Sequence, residues 1–145
     1  MTAKEYLQQI YMIDQHIGRL QRRRDALRGS MYSVGSPAGH MNVDKVQTSL
    51  SGDKMVKLIA QVDALERDIV EEVTQLRRKQ DYISRQIEDM HDDRYRTILH
   101  ERYVLRRKWD EIAEIMHMDV RWIYRLHGQA LQAFGRQYKL TSERQ

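Results

Sequence analysis

Apolar or near-apolar side chains fall at Ala3, Tyr6, Ile10, Ile13, Ile17, Leu20 and Leu27, in steps of three and four broken only at Arg24. That spacing is a heptad seam and predicts a first coiled-coil helix over residues 1–28. The run Arg22-Arg23-Arg24 followed by Gly29 predicts where it ends, since cations suit a last helical turn and glycine the left-handed residue after it. Met55, Ile59, Val62, Ile69, Val73, Leu76, Ile83, Ile87 and Met90 repeat the spacing, interrupted at Glu66 and Gln80, and predict a second helix over 53–91. Between them, 29–52 collects Gly29, Gly35, Gly39, Gly52, Pro37 and six serines and threonines, the composition of a linker, with Ser51 or Asp53 as the cap of the second helix.

The two seams can fold on each other as a long antiparallel, coiled-coil-like helical hairpin, or each can pair between chains, which leaves a homodimer open. Heptads do not distinguish the two. Arg24 and Glu66 are the charged residues on the seams and are expected to face each other and set the register.

Residues 92–138 change rhythm. An aspartate after His91 can cap a third helix from about Arg94 to Leu105, with Tyr95, Ile98, Leu99 and Tyr103 on one side. A short helix from Trp109 to Met116 buries Trp109, Ile112, Ala113 and Met116, and His117-Met118-Asp119 makes a tight turn. A last helix from Val120 to about Tyr138, capped by Asp119, buries Ile123, Leu126, His127, Ala130, Leu131 and Phe134, and 139–145 is a tail. The predicted class is all-α, ending in a helix-turn-helix, the pattern whose second helix lies in the major groove of DNA.

With Ile123, Leu126 and Ala130 turned inward, helical spacing sends Arg121, Trp122, Arg125, Gly128, Gln129 and Gln132 outward. Arginine can hold guanine and glutamine adenine through two hydrogen bonds each, so Arg121, Arg125 and Gln129 have the chemistry of base readers. Trp122 and Tyr124 flank them and suit sugar, phosphate or thymine-methyl contacts. Arg106, Arg107 and Lys108 precede the short helix where backbone phosphates would pass. The plainer alternatives are a solvated helix face for Arg121 and Arg125, a basic loop for Arg106 to Lys108, and a core position for Trp109. Gly128 in mid-helix would let another backbone come close.

Charge supports a C-terminal polyanion site. Residues 94–145 carry 11 Lys and Arg against 6 Asp and Glu, a net of +5, while 1–93 balance to −1. The absence of cysteine excludes disulfides, thiolate zinc sites and thiol nucleophiles, and suits a reducing cytoplasm. No apolar run is long enough for a membrane span and the start has no signal-like core, so a cytoplasmic protein away from membranes is expected. The six histidines show no metal-site spacing, and neither a phosphate loop nor a nucleophile elbow occurs. Neither an enzyme, a metal nor a cofactor is expected.

Trp109-Asp110-Glu111-Ile112-Ala113-Glu114-Ile115-Met116, the turn, then Ile123, Leu126 and Gln129-Ala130-Leu131 resemble region 4 of bacterial sigma factors. Nearly the full chain resembles a family of small phage and prophage regulatory proteins of Gram-positive bacteria. The residues that carry this likeness are Val46-Gln47-Thr48-Ser49, Asp53-Lys54-Met55, Arg102-Tyr103, Lys108-Trp109 and Arg125-Leu126-His127-Gly128. The resemblance implies binding to double-stranded DNA in the bacterial host cell, transcription regulation and contact with host RNA polymerase. By position, the base-reading sites of region 4 fall on Val120, Arg121 and Arg125. Val120 replaces the usual polar residue, so the target need not be a standard promoter element. Sigma regions 2 and 3 have no counterpart, so the chain is not expected to melt a promoter alone. Two alternatives stand beside this expectation: an adaptor that contacts host RNA polymerase without reading bases, and a DNA-packaging recognition subunit like a small terminase.

Overall fold

A computed structural model describes residues 1–35 and 48–141, with side chains placed for 1–31 and 52–141. Its regular structure among those residues is helical: α1 (Ala3–Gly35), α2 (Thr48–Glu88), α3 (Asp93–Leu99), a π-helical stretch (His100–Val104), α4 (Trp109–Met116) and α5 (Val120–Gln137). The contacts divide it into two compact units, one of 1–15 with 77–145, the other of 16–76.

In the first unit a single core joins all five helices. Leu7 and Ile10 of α1, Ile83 and Ile87 of α2, Ile98 and Leu99 of α3, Ile112 of α4, and Ile123, Ala130 and Phe134 of α5 are buried together. Periodicity anticipates most of these but steps over Leu7, which is fully buried where Tyr6 is only half-buried. Tyr6 is held at the edge of the core because its hydroxyl donates to Gln86 at 2.6 Å. Gln80, a break in the apolar seam, is satisfied across the pair: its amide donates to the Ile10 carbonyl at 2.9 Å and to Asp14 at 2.6 Å. In the second unit Ile17, Leu20, Val62 and Ile69 are buried, and His16 meets Glu72 at 2.9 Å.

The expected pairing of Arg24 with Glu66 is not made. Glu66 takes Arg28, one helical turn further on, while Arg24 reaches its neighbour Asp25 at 3.6 Å. Seam spacing fixes which face pairs, but side-chain reach of about a turn decides which cation arrives.

The helix limits also differ from expectation. α1 passes through Gly29 to Gly35, and α2 spans Thr48–Glu88, so positions 51 and 53 lie inside the helix and not at its start; the expected linker therefore loses both flanks, and 36–47 lie outside the described residues. Gly29 keeps helical backbone, and Ser30 returns its hydroxyl to the Ala26 carbonyl at 3.1 Å, which satisfies it within the helix. Once a helix exists, each further residue adds a hydrogen bond at small cost, so glycine and serine do not end it.

The third helix is not α-helical throughout. Asp92 caps it, accepting from the N–H groups of Arg94 at 2.9 Å and Tyr95 at 3.4 Å. Past Leu99 the ladder widens, with the Leu105 N–H bonding His100 at 3.0 Å, five residues back. It closes at Arg106, in the left-handed region at φ 55°, with the Arg107 N–H on the Glu101 carbonyl at 3.0 Å. α4 ends the same way, on His117 at φ 53°, with the Met118 N–H on Ala113 at 3.0 Å. Asp119 holds the extended N-cap backbone expected of it, but its side chain makes no capping bond to α5.

Candidate functional site

α5 is anchored by Ile123, Leu126, Ala130 and Phe134, all buried, against α3 and α4. This leaves Arg121, Trp122, Arg125, Gly128, Gln129, Gln132 and Arg136 exposed on the remaining surface of the helix. From Val120 to Thr141 the chain carries four cations and no carboxylate. The Arg125 guanidinium lies 5.2 Å from the centroid of the Trp122 ring, a cation–π contact that orients the arginine while leaving its N–H groups free to donate. Tyr124 is exposed and its ring packs 5.3 Å from Trp109. Val120, unlike Arg121 and Arg125, is half-buried and packs on the core.

The basic trio before α4 is differently placed. Arg106 pairs with Asp14 at 3.2 Å and lies over the Tyr11 ring at 5.1 Å. Arg107 pairs with Glu101 at 2.7 Å. Lys108 is exposed at the N-cap of α4, whose first turn carries Asp110 and Glu111. Those carboxylates complement the helix dipole and would repel a phosphate.

Behind α5 sits an aromatic cluster. The Arg102 guanidinium stacks 4.3 Å over Trp109, and Trp109 meets the His127 ring edge-on at 4.6 Å. His127 Nε2 shares a 2.8 Å hydrogen bond with the Tyr103 hydroxyl, the tautomer deciding which group donates. Arg102 also donates to the Arg107 carbonyl at 2.9 Å, bracing the turn that leads into α4. Burial, then the charges of Arg102 and Lys4, push the His127 pKa down to about 4, so the ring is neutral near neutral pH. Arg102-Tyr103, Lys108-Trp109 and Arg125-Leu126-His127-Gly128 are among the segments that carry the family likeness in sequence. Four of their residues, Arg102, Tyr103, Trp109 and His127, form this one cluster, which fixes α5 on its support.

The arrangement therefore offers a helix whose outer face bears cations and amides and no carboxylate. Among the described residues no group of three metal-ligating side chains comes together, and no helix is long and apolar enough to cross a membrane. Sequence spacing missed Arg136, four residues after Gln132 on the outer face, and it gave no sign of Lys4, which comes from the other end of the chain.

Fold and site together define an all-helical protein with a basic, exposed C-terminal helix on an aromatic support. The chain belongs to the DUF1492 family, described as a protein of unknown function, which matches residues 34–135. No curated protein and no solved structure matches it. The matched stretch contains the aromatic cluster and most of α5 but neither Lys4 nor Arg136.

Proposed function

We propose that this chain is a phage or prophage transcription regulator that binds double-stranded DNA through a helix-turn-helix resembling sigma region 4. In this reading α4, the His117–Asp119 turn and α5 form the unit, α5 enters the major groove, and Arg121, Arg125 and Gln129 read base edges. α1 and α2 form an antiparallel helical hairpin that carries it. Antiparallel contacts support the hairpin: Tyr6 with Gln86 and Asp14 with Gln80 in one unit, His16 with Glu72 and Arg28 with Glu66 in the other. The observation that carries the reading is the outer face of α5, where arginines and glutamines are exposed with no carboxylate among them. A solvated helix face ordinarily mixes both signs of charge, as α2 does.

The test is selection of duplex DNA from a random pool, followed by affinity measurement for wild type and an Arg121→Ala, Arg125→Ala double variant at two salt concentrations. Wild type should prefer a selected sequence over random DNA. The double variant should lose that preference, at about 1–3 kcal/mol for each good base contact. A wild type that enriches no sequence refutes the regulator reading. It would favour an adaptor to host RNA polymerase, for which the acidic, exposed Asp110, Glu111 and Glu114 of α4 beside exposed Ile115 are the supporting observation.

A further inference from the structure

The trio expected to hold phosphates has internal partners for Arg106 and Arg107, which raises the question of where the DNA backbone would be gripped. On α5, residues 121, 125, 128, 132 and 136 succeed one another by four, three, four and four, so they share one stripe along the helix. The far end of that stripe borders a groove of about 360 Å³ in the first compact unit, lined by Thr2 and Lys4 from the start of the chain and by Gly128, Gln132 and Arg136 of α5. Gly128 belongs to its lining and leaves it open: a Cβ added there would meet nothing within 4 Å. Lys4 and Arg136 are both exposed, and neither ion pairs of the described residues nor a carboxylate on α5 compensates them. The charge of Lys4 reaches α5, because it is one of the causes that depress His127.

We infer that this groove is a seat for the phosphodiester backbone of duplex DNA, with Lys4 and Arg136 as the cations and Gln132 as a neutral donor. The inference rests on the proposed DNA-binding reading and deepens it, since it brings the first turn of α1 into the same interface as the base-reading face. Arginine and lysine neutralise phosphate, the glutamine amide donates to its oxygens, and the bare backbone at Gly128 allows a sugar–phosphate strand to come close. A contact of this kind carries no base information. It should therefore strengthen binding to all sequences alike.

The experiment compares wild type with a Lys4→Gln, Arg136→Gln double variant on the selected duplex and on random duplex across a range of salt. Both substituted side chains are exposed, so the fold should persist, and circular dichroism checks it. The slope of log affinity against log salt should fall by about 0.9 for each cation removed, about 1.8 in all, with preference for the selected duplex unchanged. Gly128→Leu, which adds a side chain to the groove lining without changing charge, should weaken both duplexes by a similar factor. An unchanged slope in a folded double variant, while Arg121→Ala, Arg125→Ala still abolishes preference, overturns the groove but leaves the DNA reading standing. A wild type that binds no duplex overturns both.

Discussion

His127 offers the sharpest check on how α5 is supported. Its pKa falls from 6.5 to about 4 because the ring is largely buried and faces Arg102 and Lys4. In the unfolded chain the ring protonates near its ordinary value, so below that pH the unfolded state binds a proton that the folded state refuses. The stability contributed by a neutral His127 is thus fully present above about pH 6.5, and it is lost as pH falls towards 4. Linkage between those two values gives a loss of about 2 kcal/mol from about pH 7 to about pH 5. Solvent at the partly exposed ring reduces this to about 1–2 kcal/mol. Urea unfolding followed by Trp109 fluorescence in a Trp122→Phe background reads it, since Trp109 is 4.6 Å from the ring. His127→Gln keeps a hydrogen-bonding group for Tyr103 but cannot titrate. Its stability should change less over the same interval, by about the calculated amount. If His127→Gln shows the same pH dependence as the parent, His127 is not held neutral and the account of the cluster is wrong.

Two further predictions concern the fold. Gly29→Ala should stabilise the protein by about 0.5–1 kcal/mol in thermal or urea unfolding, because Gly29 is inside α1 with nothing within 4 Å of an added Cβ; a loss would restore the helix end expected from sequence. Phe134→Ala should cost about 3–5 kcal/mol, since the ring is fully buried with Tyr138 at 4.7 Å and Tyr6 at 6.0 Å, and a cost under about 1 kcal/mol would mean that α1 and α5 do not share a core.

Periodicity made α5 legible almost residue by residue. A helix with one dry face must place apolar side chains in steps of three and four, and Ile123, Leu126, Ala130 and Phe134 do so while Arg121, Arg125 and Gln129 fall outside. The same rule says nothing about what a face packs against. Leu7 and Phe134 therefore share a core that no spacing foretold, and Lys4 reaches the α5 surface with no local signal. Glycine misled at Gly29 because its preference for a left-handed turn is weaker than a hydrogen-bonded helix that continues through it. The π-helical widening after Leu99 was equally hidden, since a one-residue change in the ladder leaves apolar spacing nearly intact.

The basic residues show how packing reassigns charges that sequence can only count. Arg106 and Arg107 belong to the most cationic run of the C-terminal half, yet each already has a carboxylate partner, at 3.2 and 2.7 Å. With both arginines half-exposed, such pairs are worth up to about 1 kcal/mol, comparable to what a solvent-exposed phosphate would return in their place. A phosphate contact there would be an exchange with little net gain, and it would leave Asp14 and Glu101 facing the DNA. No ion pair among the described residues engages Arg121, Arg125 or Arg136, and α5 itself contains no carboxylate. On the proposed reading, the salt dependence of binding should therefore track the stripe on α5 more than the run at Arg106–Lys108, although the run is the denser cluster in sequence.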